Sequence, residues 1–323
     1  MGAGDLLTWR IWIDTGGTFT DCLALDPEGT LHRAKVLSTS ALRGRIVERN
    51  GARVRVEAGW RVPVGFFRGF ELRILGTDEA RRVIGSHGDI LELDGPLPDL
   101  KGSAFELRSP EEPPVLAARL ITGTPLDREL PEIAMRLATT RGTNALLERK
   151  GAATVLFITR GFADLLLIGT QQRPDLFALN IEKPRPLFAE VVEVPERLAS
   201  DGSVLVPLAA GSLRGEAERL LAAGFESAAV ALLHSYRNPR HEEALGEMLR
   251  EAGFRHVSLS SRLAPLIKIV PRAETAVVDA YLSPILKGYL AGVGRALSQG
   301  SLHVMTSAGG LVRAGSFHAK DSL

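Results

Sequence analysis

Only one cysteine occurs in the 323 residues, and tryptophan and tyrosine occur three times each. Cys22 can form no disulfide within the chain, and its place in an apolar, strand-like run makes it a core residue rather than a nucleophile. A reducing compartment, by default the cytoplasm, fits this. Long apolar runs are missing too. With no stretch of eighteen apolar residues and no basic leader ahead of an apolar core, neither a helical membrane span nor a secretory signal is expected. Neither charge is in excess: 39 Lys and Arg stand against 38 Asp and Glu, a net charge of +1. That balance argues against a broad nucleic-acid-binding surface and leaves small anionic ligands open. What remains is 45% hydrophobic and 24% charged residues, the make-up of a soluble globular chain, at a length that predicts two domains rather than one core.

Along the chain, strands are expected over 9–14, 18–25 and 31–38, with Asp26-Pro27-Glu28-Gly29 as the turn between the last two. Residues 51–108 differ. Short apolar stretches such as Phe70–Leu75 and Ile90–Leu93 are broken there by Gly, Pro and charges, which predicts a β-rich insertion without a helix of any length. From about 112, helix and strand patterns alternate. A helix ends near Ile121-Thr122-Gly123, buried strands cover 155–158 and 228–233, and amphipathic helices cover 213–223 and 240–251. A long helix over 274–297, interrupted or kinked at Ser283-Pro284, precedes a strand at 302–305. Such alternation implies an α/β sheet.

The most informative stretch is Trp12-Ile13-Asp14-Thr15-Gly16-Gly17-Thr18-Phe19-Thr20-Asp21-Cys22. Asp14 ends an apolar run, Gly16 and Gly17 let backbone N–H groups approach an anion closely, and Thr18 and Thr20 add hydroxyl donors. These suit a β-hairpin that cradles phosphate, with Asp14 or Asp21 facing a hydrated Mg²⁺. A plain Gly-Gly hairpin turn is the alternative reading. A second stretch, Ala138–Leu147, places Arg141, Gly142, Thr143 and Asn144 just before a helical run, where free N–H groups attract anions; a simple helix cap by Thr143 or Asn144 reads equally well. The loop with Gln171, Gln172, Arg173 and Asp175 between apolar anchors could take a small polar substrate, or be a solvated loop with an Arg–Asp pair. Ser258–Pro265, Ile269–Thr275 with the helix carrying Asp279-Ala280-Tyr281, and the glycine turn Met305–Leu311 complete the set.

In order and content these segments resemble the hydantoinase A and ATP-dependent 5-oxoprolinase family. The resemblance rests on IDTGGTFTD at 13–21, TTRGTNALLERKG at 139–151, TRGFADLLLIGTQQRPDLF at 159–177, LLHSYRNPRHE at 232–242, HVSLSSRLAPLIKIVPRAETAVVDAYLSP at 256–284 and MTSAGGL at 305–311, and it leans toward the 5-oxoprolinases. It implies an actin-like, sugar-kinase-like (ribonuclease H-like) ATPase fold of class α/β. Residues 1–250 would form the first domain, with 51–108 inserted in it, and 251–323 would begin the core domain. ATP would phosphorylate the amide oxygen of 5-oxo-L-proline, and water would open the activated ring to L-glutamate. By the same resemblance Thr15, Gly16, Gly17 and Thr18 would hold phosphates, with Thr20 and Asp21 in second rank. Asp14 would order Mg²⁺; Arg141, Thr143 and Asn144 would face the transferring phosphoryl group or the substrate; Gln171, Gln172, Arg173 and Asp175 would line the substrate loop.

In the family a second Asp-x-Gly-Gly-Thr hairpin follows the Ser-Ala-Gly-Gly segment, and none is found here. The resemblance therefore implies an amino-terminal part of a larger enzyme, partnered by a carboxy-terminal half and a hydantoinase B-like domain or subunit, working on a small cyclic amide and assembling as a homo-oligomer. Alone, such a part is expected to bind ATP·Mg²⁺ weakly and to expose an apolar face from about Glu274 onward. A hydantoinase, an acetone- or acetophenone-carboxylase-type subunit, a sugar or acid kinase, and a vestigial nucleotide- or partner-binding domain are the competing readings.

Overall fold

The computed structural model describes residues 8–98, 102–170, 177 and 183–323. These fall into two compact units, one of residues up to Arg141 with Gly288–Phe317, the other of Gly142–Lys287 with His318–Leu323. The boundary near residue 250 expected from the family resemblance lies inside the second unit. No helix among the described residues is long and apolar enough to cross a membrane.

In the first unit, β1 (Trp9–Thr15), β2 (Phe19–Leu25) and β3 (Leu31–Leu37) form an antiparallel meander, as the alternating burial of their side chains requires. The chain then runs through β4 (Ala41–Asn50), β5 (Arg53–Glu57), β6 (Glu71–Ile74), β7 (Ala80–His87), β8 (Ile90–Leu93) and β9 (Ala104–Arg108). These six antiparallel strands pair in the order β4-β5-β8-β7-β6-β9, and β9 returns to pair with β4 along Ala41↔Arg108 to Arg45↔Ala104. The expected β-rich segment is thus a closed barrel that begins at Ala41, ten residues earlier than the apolar pattern suggested, and it is continuous with the β1–β3 sheet. Phe66, Phe67, Phe70 and Phe105 are fully buried, and closure leaves the barrel no long open edge.

Pro113 and Pro114 open α1 (Pro113–Thr122), where their missing N–H groups cost nothing, and Gly123 ends it at φ 64°. The helix packs on β1–β3. Next, β10 (Ile133–Thr139) pairs parallel with β1. The second unit begins within α2 (Arg141–Leu147) and holds β11 (Thr154–Thr159), α3 (Leu165–Ile168), β12 (Glu190–Val194), the short ladder β13 (Arg197–Leu198) and β14 (Val204–Val206), α4 (Arg214–Ala222), β15 (Ser227–Ala231), α5 (Arg240–Ala252), β16 (His256–Leu259) and α6 (Ser260–Leu263). Its main sheet is parallel in the order β12-β11-β15-β16. Val155, Phe157 and Val230 pack toward α4 and α5, whereas Leu156, Ile158, Ala229 and Ala231 pack toward Ala273, Ala276 and Ala280. Burial on both faces is why these strands read as unbroken apolar runs.

The long helix α7 (Ile269–Ala296) starts five residues before the expected position and contains Pro284 without ending there. Val277, Leu282, Leu286, Leu290 and Val293 on it are buried, so the apolar face expected from Glu274 onward is not exposed along the helix, whereas beyond it Met305, Leu311 and Leu323 are exposed. In the first unit, β17 (Ser301–Met305) pairs parallel with β10, and β18 (Leu311–Arg313) turns back on β17. Gly300 enters this sheet so closely that a Cβ would lie 2.2 Å from the carbonyl oxygen of Ile133. Backbone cannot yield as a side chain can, so Gly300→Ala is expected to destabilise the first unit by about 1–3 kcal/mol, read as a lowered urea midpoint with an unchanged m-value. An unchanged midpoint would show that β17 shifts freely.

Candidate functional site

The stretch 12–22 is the hairpin of β1 and β2, with Asp14 opposite Asp21 and Thr15 opposite Thr20. Gly16 N–H donates to Phe19 O at 3.0 Å, closing a turn whose tip, Gly17-Thr18, is exposed. Ser38 braces this turn from one side: its Oγ donates to Gly16 O at 2.8 Å and its N–H to Thr18 O at 2.9 Å. In a planar trans peptide the carbonyl and the next N–H point in opposite directions. With the Gly16 carbonyl tied to Ser38, the Gly17 N–H therefore points to the open side, and neither Gly17 nor Thr18 N–H has a partner among the described residues. Gly16 and Gly17 do not have positive φ. Their use here is close approach, not unusual backbone angles.

Asp14 is exposed on the same face as Asp21, across the strand pair, and makes no ion pair among the described residues. Asp21 differs: Lys35 Nζ donates to both its oxygens, at 2.9 and 3.2 Å. Thr15 and Thr20, expected at phosphate, are buried and face inward, where Thr20 Oγ1 meets Ser38 Oγ at 3.2 Å and Thr15 Oγ1 accepts from Tyr289 OH at 3.3 Å. Both thus brace the hairpin from beneath. Cys22 is buried, and burial pushes its thiol up to about 12, which leaves it protonated and inert as the sequence led one to expect.

Arg141 begins α2, where its N–H donates to Thr139 Oγ1 at 3.2 Å. Its guanidinium lies 4.5 Å over the ring of Tyr289, and Nη1 donates to Glu112 Oε2 at 3.1 Å. Burial pushes the Tyr289 hydroxyl up to about 12, so it stays a donor toward Thr15. One tyrosine from α7 therefore touches both motifs that sequence reading had singled out separately, the hairpin and Arg141. Tyr289, Glu112 and Ser38 were not anticipated. The hydroxyl run Ser38-Thr39-Ser40 directly after a strand was a usable signal for the last; nothing local to Tyr289 or Glu112 pointed to the others.

In the second unit, the Thr143 hydroxyl donates to Ser322 O at 3.3 Å, a structural bond, and Asn144 lies half-buried in α2. Gln171, Gln172, Arg173 and Asp175 lie outside the described residues. The segments 232–242 and 256–284 supply a buried polar network. Fully buried Glu242 accepts from Leu232 N–H at 2.9 Å, Ser235 Oγ at 2.8 Å, Ser260 Oγ at 2.6 Å and Ser261 N–H at 2.8 Å. Fully buried Arg272 donates to Ser235, Ser260, Leu232 O at 2.9 Å and Leu266 O at 3.1 Å, and faces Glu242 at 3.4 Å. Burial pulls the Arg272 pKa down, opposed by the Glu242 charge. Beside it, Glu196 accepts from Thr159 and meets His241 Nδ1 at 2.7 Å. These groups satisfy one another, so what distinguishes the segments in sequence is a polar core rather than an open site.

The family model described as the hydantoinase/oxoprolinase N-terminal region matches residues 10–57 and 121–253, more than half of the chain, and the hydantoinase/oxoprolinase model matches 272–322. The chain belongs to the hydantoinase/oxoprolinase family. Among curated relatives, a 5-oxoprolinase of Saccharomyces cerevisiae is 39% identical over 231 residues, 62% of this chain and 18% of its own length. The 5-oxoprolinase 1 of Arabidopsis thaliana is 46% identical over 177 residues, covering 49% of this chain and 14% of its own. The chain therefore spans less than a fifth of the length of these relatives. Two solved structures superpose over 97% of this chain: a nucleotide-free acetone carboxylase (TM-score 0.62, 19% identity, 37% of that chain) and an ATP-dependent caprolactamase from Pseudomonas jessenii (TM-score 0.59, 20% identity, 38% of that chain). At such identities the likeness is one of fold. The hydantoinase/oxoprolinase match leaves 58–120 uncovered, the stretch that holds most of the barrel and of α1.

Proposed function

We propose that this chain is the phosphate-gripping part of an ATP-dependent cyclic-amide hydrolase with an actin-like ATPase fold, acting in the cytoplasm on 5-oxo-L-proline. The observation that carries the proposal is the braced hairpin tip, where Ser38 aims the Gly17 N–H outward beside the exposed Thr18 and an Asp14 that makes no ion pair among the described residues. The donor set fits a polyphosphate with its cation: backbone N–H groups and a threonine hydroxyl for the anion, and the exposed Asp14 carboxylate for a Mg²⁺ that would take its other ligands from phosphate and water. ATP supplies the phosphoryl group that converts a resonance-stabilised amide into a good electrophile. Gly16, Gly17 and Thr18 bind and orient the phosphates, Asp14 orders Mg²⁺, and Lys35 keeps Asp21 in the background by holding its charge. Arg141, fixed by Glu112 and the Tyr289 ring, keeps a cation near the hairpin's base, where it offsets charge on equatorial phosphoryl oxygens. The substrate role that the family resemblance gives Asn144, Gln171, Gln172, Arg173 and Asp175 is kept as part of this proposal, whereas the Thr143 hydroxyl is engaged by Ser322 O.

The test is ATP consumption by the full-length protein carrying this sequence, offered 5-oxo-L-proline, hydantoin, or acetone with bicarbonate. ADP and glutamate released in equal amounts from 5-oxo-L-proline are the expected result. Turnover with acetone and bicarbonate alone would replace the hydrolase by a carboxylase, and no turnover with any of them would remove the enzymatic reading. A related expectation concerns the exposed tip: in Gly17→Val, branched carbon beside the outward N–H holds phosphate off, so ATP affinity by calorimetry is expected to fall at least about tenfold with an unchanged melting temperature. Unaltered affinity would place the nucleotide elsewhere.

A further inference from the structure

The barrel builds a groove of about 680 Å³ against the open side of β3, lined among others by Phe19, Arg33, Lys35, Arg43, Trp60 and Arg61. Phe19 to Arg43 belong to the sequence matched by the family, whereas Trp60 and Arg61 fall in its uncovered stretch. β3 is paired with β2 over its whole length but touches β4 only at Leu37↔Ala41, because β4 turns away into the barrel. Among the described residues nothing pairs with the outer edge from Leu31 to Val36, ~20 Å of strand. The ladder's phase can be read from its ends. Ser38 N–H donates to Thr18 O and Asp26 N–H to Thr30 O, so on β3 the even-numbered residues bond to β2. The N–H and C=O of Arg33 and Lys35 then point outward into the groove.

Charge selects the occupant. Arg33 and Arg61 are exposed and have no acidic partner among the described residues, and Arg43 shares the single carboxylate of Glu106 with Arg108. Lys35 alone is matched, by Asp21. We propose that this groove docks an acidic, extended peptide segment of another protein as an added strand on β3, its backbone bonding to Arg33 and Lys35 and its alternate acidic side chains meeting Arg33, Arg43 and Arg61. The proposal stands apart from the catalytic reading, since it uses none of the residues assigned to phosphate or metal.

The probe is a labelled acetyl-(Glu-Val)₄-amide peptide, with (Lys-Val)₄ and an alternately N-methylated (Glu-Val)₄ as controls, measured by fluorescence anisotropy on the 323-residue chain. The expected result is binding of the Glu-Val peptide alone, with slowed hydrogen exchange at the amides of Arg33 and Lys35. The charge reversal Arg33→Glu with Arg61→Glu, both at exposed positions, is expected to weaken binding at least about tenfold. No binding of the Glu-Val peptide, equal binding of the N-methylated one, displacement by inorganic phosphate alone, or full affinity in the doubly reversed variant would each overturn the proposal. If the double variant does not fold, the N-methylated control and the exchange data on the unaltered chain decide.

Discussion

Asp14→Asn in the full-length protein is expected to lower turnover by about two to three orders of magnitude, the scale seen when one preorganised electrostatic group is removed from a reacting centre. The substitution keeps shape and removes charge. Asp14 is exposed at the strand end before the turn, and among the described residues no cation shares its carboxylate, whereas the opposite Asp21 is already held by Lys35. Losing the charge therefore takes away the group proposed to order the cation and no ion pair that holds the fold among the described residues. Stability is expected to stay within about 0.5 kcal/mol, or to rise slightly as two like charges across a strand pair become one. Steady-state turnover with 5-oxo-L-proline and a thermal melt, run side by side, test both halves. Turnover near that of the unaltered enzyme would strip Asp14 of its role, and a lowered melting temperature would make it structural.

Arg272→Ala is expected to destabilise the second unit by about 3–5 kcal/mol, the loss typical of removing one member of a buried ion pair. Its guanidinium has no exposure and bonds to two serine hydroxyls, two carbonyls and Glu242. Alanine would leave a buried carboxylate without its cation, together with a space the size of the side chain. Replacing both partners, Arg272→Met with Glu242→Leu, is not expected to restore stability as it does for simple buried pairs, because Glu242 also satisfies the N–H groups of Leu232 and Ser261. Urea unfolding of the single and double variants tests this. A double variant as stable as the parent would show that the ion pair alone mattered and the backbone bonds did not.

The elements with their own local signal were readable in the chain. The hairpin at 9–25, the capped end of α1 at Gly123, the doubly buried strands near 155–158 and 228–233 and the amphipathic α4 and α5 all lie within a few residues of their expected places. Each is set by side-chain period, by a residue of special backbone freedom, or by burial on both faces, and all of these are written in consecutive residues. The barrel was legible only as β-rich. Its closure depends on β4 pairing with β9, some sixty residues apart, and no short-range pattern records that pairing. The start of α7 was missed because Pro271 in its first turn reads as a breaker, although the first turn is where a helix tolerates proline.

The candidate site divides the same way. The sequence by itself determined that Asp14, Gly16, Gly17 and Thr18 would sit together on one turn, since a hairpin needs only neighbouring residues, and it determined that Cys22 would be inert. It could not tell which hydroxyls face outward. Tertiary packing decided that Thr15 and Thr20, a cross-strand pair on one face, turn inward to Tyr289 and Ser38, because only the layers packed on the sheet say which face is buried, while Thr18 at the turn tip stays exposed. Tertiary packing also decided that Glu242 and Arg272 serve the core. In a sequence a charged residue reads as a candidate for chemistry, and only the burial of both charges against one another shows that they are already satisfied.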